Sequence, residues 1–234
     1  MITVTPFEDL GHQSHGWLKA CHHFSFANYY DPARMGFGVL RVFNDDWIEA
    51  GSGFGEHPHR DMEIITYVRQ GAVSHEDSLG NSGRTEAGQV QVMSAGTGIR
   101  HAEYNHGHEH LTLFQIWIEP DAIGHKPRWD TRTFDRAQAS GGFQTLVSGR
   151  GGREHAGALF IHQDAAFMAA VLDAGEETSV DIESGRRAYL VAARGSVEVN
   201  GVTVPTRAGV AIEHEQHLTI RATQGAEVVL LDLP

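Results

Sequence analysis

The apolar residues of this chain come in runs too short for helices. Ile64-Ile65-Thr66-Tyr67-Val68, Gln89-Val90-Gln91-Val92-Met93, Leu113-Phe114-Gln115-Ile116-Trp117-Ile118 and Val228-Val229-Leu230-Leu231 are rich in β-branched and aromatic residues, and Gly, Asn and Asp interrupt the chain between them. Such side chains suit a pleated, half-buried surface, and short strands between turn signals predict an all-β barrel or sandwich. Only residues 165–172 carry a modest helical pattern, and they read equally well as a strand. The two halves also echo each other. Val68-Arg69-Gln70-Gly71-Ala72-Val73 recurs loosely as Val191-Ala192-Ala193-Arg194-Gly195-Ser196-Val197, and Ala87-Gly88-Gln89-Val90 as Ala208-Gly209-Val210-Ala211. Each half reads as strand, glycine turn, strand, glycine turn, strand, which predicts two similar β-barrels in tandem. Pro120, Pro127, Ser140-Gly141-Gly142 and Gly149-Arg150-Gly151-Gly152 break up the stretch between them. The expected division is a first barrel over 1–125, a connection over 126–150 and a second barrel over 151–234.

Charge and cysteine content narrow the class of function. With 18 Lys+Arg against 30 Asp+Glu, the 234-residue chain carries a net charge of −12. A nucleic-acid binder needs a basic face to displace counterions from phosphates, so direct contact with nucleic acid is not expected. The single cysteine, Cys21, has no internal disulfide partner and suits a reducing compartment. No basic segment followed by an apolar run opens the chain, and no stretch is long and apolar enough to cross a bilayer. The expectation is a cytoplasmic protein without membrane contact.

Twelve of the 16 histidines fall between His12 and His125. Among them, Gly51-Ser52-Gly53-Phe54-Gly55-Glu56-His57-Pro58-His59-Arg60-Asp61-Met62-Glu63 holds a His-x-His pair, which a strand would project from one face. His101-Ala102-Glu103 has the same spacing and follows the glycine-rich run Ser94-Ala95-Gly96-Thr97-Gly98-Ile99-Arg100. Brought together on facing strands, the two pairs offer three imidazoles and a carboxylate to one ion. Such a donor set suits Fe, Mn, Co, Ni, Cu or Zn and disfavours Mg or Ca. The same alternation suggests that Glu63 turns toward His57 and His59. The nearby His106, His108 and His110 read as a solvated hairpin, and residues 75–78 either line the mouth of the site or form a simple polar turn, the turn being the favoured reading. His12, His15, His22 and His23 read as surface residues, and the aromatics of residues 24–30 as packing.

Gly51-x5-His57-x-His59-x3-Glu63, followed by Gly88 and Gly98-x2-His101-x3-Asn105, resembles the two motifs of the cupin superfamily. The longer runs of residues 57–63 and 93–103, with Phe24-Ser25-Phe26-Ala27-Asn28-Tyr29-Tyr30-Asp31-Pro32, resemble the pirin family, specifically its bacterial quercetin 2,3-dioxygenases. The likeness is specific over residues 17–120 and continues more weakly to Pro234, which implies two cupin-type barrels. It implies one divalent transition metal on His57, His59, His101 and Glu103, Fe(II) ahead of Mn, Co, Ni, Cu or Zn. It also implies a dioxygenase that opens the heterocyclic ring of a flavonol such as quercetin with O2 and releases carbon monoxide. Glu103 or Glu63 would take the substrate's proton, and Glu63 would otherwise orient a ligand by hydrogen bonding. Phe54, Met62, Met93 and Phe114 are the candidate apolar walls. A different class of function implied by the same resemblance is a non-catalytic, metal-dependent regulatory protein acting through a protein partner.

The second half lacks the ligands. Aligning Gly195 with Gly71 puts Asp181 and Glu183 where His57 and His59 stand, and His214 and His217 are spaced three apart, wrong for one face of a strand. A second barrel without metal is the expectation.

Overall fold

The computed structural model describes residues 1–134, 139–152 and 155–234. Apart from one 3-10 turn at Phe7–Asp9, every regular element among them is a strand. The strands form two compact units, each with one large and one four-stranded antiparallel sheet. Residues 166–172, ambiguous in sequence, are the strand Ala166–Leu172.

In the first unit the large sheet runs, in spatial order, Arg128–Thr133, Gln89–Ser94, Glu63–Gln70, Leu111–Ile118, Leu40–Ile48, Leu18–His22 and Gly11–Ser14. The four-stranded sheet runs Gly53–His59, Ile99–Tyr104, Ala72–Asp77 and Ser82–Glu86. Alternation supplies the shared core: Val68, Leu111 and Leu113 of the large sheet pack with Val73 and Phe54 of the small one. Each of those fully buried aliphatic side chains contributes on the order of 1.5–3 kcal/mol.

The second unit repeats the plan. The six strands that it contributes to its large sheet run Ile2–Thr5, Gly209–Glu213, Arg187–Arg194, Ala226–Leu233, Ala166–Leu172 and Gln144–Ser148, and its four-stranded sheet runs Glu177–Asp181, His217–Ala222, Val197–Val199 and Val202–Val204. The echo between Gly71 and Gly195 has a physical cause. Both adopt positive φ, 76° and 71°, directly after equivalent strands. A Cβ at either would press on the backbone that opens a neighbouring strand, at Leu111 or at Ala226. Glycine relieves both constraints at once.

The compact units do not follow cuts at 125 and 150. The first comprises Gly11–Phe134 with Leu159–Gln163, and the second Met1–Leu10, Asp135–Ala158 and Asp164–Pro234. Arg128–Thr133, assigned from sequence to the connection, is an edge strand of the first unit. Ile2–Thr5, assigned to the first barrel, is an edge strand of the second unit, paired with Gly209–Glu213. Prolines and glycines mark where a chain turns and carry no record of which sheet edge the next strand will find.

Candidate metal centre

His57 and His59 lie on Gly53–His59, an edge strand, where Pro58 between them costs no ladder hydrogen bond on the solvent side. Antiparallel pairing sets His101 directly opposite His57. Beyond that pair the register shifts, so that Glu103 faces Phe54 and the outer strand carries an extra residue. A bulge of this kind re-aims side chains beside a site. Gly53 is required here by close approach, because a Cβ would run into the Glu103 carbonyl and Tyr104.

The three imidazole rings gather tightly. Ring centroids are 4.8 Å apart for His57 and His59, 4.4 Å for His57 and His101, and 4.9 Å for His59 and His101. One ring nitrogen from each lies within 4.8 Å of the others. His57 Nδ1 donates to the Gly55 carbonyl at 2.8 Å, which leaves Nε2 unprotonated and available in the neutral ring. His101 Nε2 is buried with no hydrogen-bond partner. Burial, followed by its neighbours His101 and His57, pushes His59 down to about 4. Burial, then His57 and His75, pushes His101 down to about 3. Both rings are therefore free of extra protons at neutral pH, the state a metal ligand requires. The convergent nitrogens and the orphaned Nε2 fit a transition metal.

Glu103 faces the same hollow, held by two amides. Gln91 Nε2 donates to one carboxylate oxygen and Gln115 Nε2 to the other, the latter at 3.0 Å. Behind His101 lies a chain that the sequence reading missed. Its Nδ1 sits 3.4 Å from His75 Nδ1, and His75 Nε2 donates to Asp77 at 3.1 Å. His75 is stacked flat on Trp129, with centroids 4.9 Å apart. Burial raises the Asp77 carboxyl, but hydrogen bonds from Asn81 and His75 and from the backbone of Asn81 and Leu79 outweigh it and hold the group below its usual range. His75, His101 and Glu103 also place a ligand atom each within 4.8 Å of one another. The cross-strand register explains why: His75 is the partner of Glu103, and Asp77 the partner of His101. The polar turn expected of residues 75–78 begins only at Ser78, while His75 is buried in the strand and Asp77 ends it.

Glu63 requires correction. Its carboxylate accepts from the Ser94 hydroxyl at 2.7 Å and pairs with His162 at 3.2 Å, and it does not line the hollow. Alternation does not carry across Arg60-Asp61-Met62, because Asp61 adopts φ of 46° and Glu63 opens a strand of the other sheet. Burial raises its carboxyl above the usual range, against the pull of Ser94 and His162. Neither the catalytic nor the ligand-orienting role expected of Glu63 has a contact to support it.

The hollow has a volume of about 410 Å³ and is lined by Trp17, Phe26, Phe54, Ile64 and Trp117, besides the imidazoles, Glu103, Gln115, Asn44 and Asp46. Of the expected walls only Phe54 lines it. Met62 and Met93 pack with Ile64 and Trp129, and Phe114 lies between Phe43 and the Arg69 guanidinium. Phe26, expected only to pack, meets Trp117 edge-on at 5.3 Å in the cavity wall. His22 and His23 are buried and not on the surface; His22 donates to Asn44 at 2.8 Å. His106 and His108 lie in the exposed hairpin as expected, with His110 stacked on Trp47.

In the second unit, the strand in the sheet position of Ile99–Tyr104 is His217–Ala222, and its buried residues are Leu218, Ile220 and Ala222. They join a continuous aliphatic core with Leu190, Val210 and Leu230. Asp181 pairs with His217 at 2.6 Å, both exposed, and Glu183 pairs with Arg150.

A family model described as Pirin matches residues 4–118, and one described as Quercetinase C-terminal cupin domain matches residues 146–233. The chain is 55% identical to a pirin-like protein of Caulobacter vibrioides, with 99% of each chain covered. It is 48% identical to a quercetin 2,3-dioxygenase of Escherichia coli K12, over 100% of this chain and 99% of the relative. Among solved structures, YhhW of Escherichia coli superposes with a TM-score of 0.94 at 48% identity, covering 100% of this chain and 98% of that one. The same bacterial pirin in complex with nickel(II) gives 0.93 at 47% identity, covering 100% and 99%. Two cupin domains and relatives of this identity over the whole length show that the chain belongs to the pirin family.

Proposed function

We propose that the hollow of the first unit is the active site of a metal-dependent flavonol dioxygenase. The observation that carries this reading is the convergence of His57, His59 and His101, with an orphaned buried Nε2, at an apolar cavity large enough for a small aromatic ligand. In this reading those imidazoles and Glu103 hold one divalent transition metal, Fe(II) before Mn, Co, Ni, Cu or Zn. When bound, such a metal supplies Lewis acidity that favours the deprotonated form of a substrate hydroxyl. The chain's own residues do the rest. Glu103 takes the hydroxyl proton, steadied by the amides of Gln91 and Gln115. Trp17, Phe26, Phe54 and Trp117 exclude water and hold a planar ring system. The net reaction consumes a flavonol and O2, opens the heterocycle and releases carbon monoxide. The names carried by the family's bacterial relatives support this substrate class.

The test is loss of quercetin absorbance under air, with carbon monoxide captured, for protein loaded with each metal in turn. Turnover is expected with at least one metal, and His57→Ala and His101→Ala are expected to lose both turnover and stoichiometric metal. No turnover with any of the metals would leave a metal-dependent binding module and overturn the enzymatic reading.

A further inference from the structure

Asp46 is a buried acid with no evident structural task. It lies on Leu40–Ile48, in the large sheet, and faces the hollow together with Asn44, two residues earlier. Its cross-strand neighbours are Leu113 and Ala20, neither of which offers a polar side chain. The side chain is 4% exposed, and its Oδ1 has no hydrogen-bond partner. Its sequence neighbour Asp45 points to the other face and is paired with Arg69. Burial, with the nearby carboxylates of Asp45 and Glu103 acting in the same direction and Arg69 opposing, raises the Asp46 carboxyl to about 8. A neutral acid group both donates and accepts hydrogen bonds.

An unsatisfied polar group in an apolar wall destabilises a fold, and a leucine of similar size would fill the place without that cost. The group becomes useful once a ligand completes its hydrogen bonds. The imidazoles come from the four-stranded sheet, whereas Asp46 belongs to the large sheet, so a ligand lying in the hollow meets polar groups from both sheets with aromatic walls between them. We propose that Asp46 is a specificity-determining residue that hydrogen-bonds a hydroxyl group on the ring system of a planar aromatic ligand, distinct from the hydroxyl directed at the imidazoles. The ligand class this selects is a polyhydroxylated aromatic over its singly hydroxylated analogue. The inference rests on reading the hollow as a flavonol site.

The experiment compares anaerobic binding of quercetin and 3-hydroxyflavone, which keeps only the metal-directed hydroxyl, to metal-loaded full-length protein and its Asp46→Leu and Asp46→Asn variants. Wild type is expected to bind quercetin the more tightly. Asp46→Leu should weaken quercetin by about tenfold or more while 3-hydroxyflavone stays within about threefold, because a site built around a hydroxyl discriminates against its absence. Asp46→Asn keeps a hydrogen-bonding group and should restore much of the preference. One metal per chain is expected throughout, and Asp46→Leu should melt higher than wild type. Folded, metal-loaded Asp46→Leu that binds both ligands as wild type does would overturn this inference alone. If that variant does not fold, Asp46→Ala gives the same comparison. Wild type that binds neither ligand would overturn the flavonol reading, and this inference with it.

Discussion

At the scale of single residues, His75 illustrates how a site extends beyond its ligands. The chain from His101 through His75 to Asp77 fixes which nitrogen of His101 carries the proton and which stays open to a metal. Both side chains of the His75–Asp77 pair are fully buried, so no water can replace a lost partner without a cavity forming. His75→Phe should preserve the stacking on Trp129 but remove the hydrogen bond. We expect metal affinity to fall by about 10–100-fold, measured by competition with a chelator, and stability to fall by about 1–3 kcal/mol because the buried Asp77 carboxylate loses a donor. Affinity equal to wild type would show that the stack alone orients His101. The pairs His57 with His59 and His101 with Glu103 were legible in the sequence because a strand spacing of two places neighbours on one face, and the register then sets His101 opposite His57. His75 was not, because only the strand register brings it opposite Glu103. Asp46 was equally hidden, since the unpartnered state of its Oδ1 is a property of the space around it.

At the scale of elements, the two ligand strands depend on a close approach that a single atom would spoil. Gly53 lies against the backbone of Glu103 and Tyr104. Gly53→Ala should force those strands apart and cost about 1–3 kcal/mol, read as a lower melting temperature of the metal-free protein. Because the displaced backbone carries Glu103 and adjoins His101, metal affinity should fall as well. A variant with unchanged stability and metal binding would refute this account of the glycine. The element scale is also where the expectation for Glu63 failed. Counting by twos from His59 assumes one continuous strand, but Asp61 turns the chain into the opposite sheet.

At the scale of the whole molecule, one strand plan serves two purposes. The first unit opens its interior around polar groups, and the second fills the corresponding space with Leu190, Val210, Leu218, Ile220 and Leu230. Among the described residues, the groups of side chains able to hold a metal are His57, His59 and His101 and His75, His101 and Glu103, all in the first unit. Asp181→Ala should leave the metal-to-chain ratio as in wild type. Ile220→Ala should destabilise the protein by about 2–5 kcal/mol, with that ratio again unchanged at temperatures where the chain stays folded. Loss of metal from folded Asp181→Ala, measured by elemental analysis, would assign the second unit a metal role that its packing does not suggest.

Short β-branched runs, glycine turns and paired spacings are local properties, and they determined the all-β class, the internal repeat and the His-x-His and His-x-Glu pairs. Strand pairing across long separations decided the remainder. It moved Ile2–Thr5 into the second unit, turned Glu63 to Ser94 and His162, set His75 behind His101 and left Asp46 Oδ1 without a hydrogen-bond partner. The physical reason is that side-chain direction along one strand follows from chain geometry alone, whereas the identity of the neighbouring strand, and therefore of every polar partner, emerges only when all the strands compete for edges and core together.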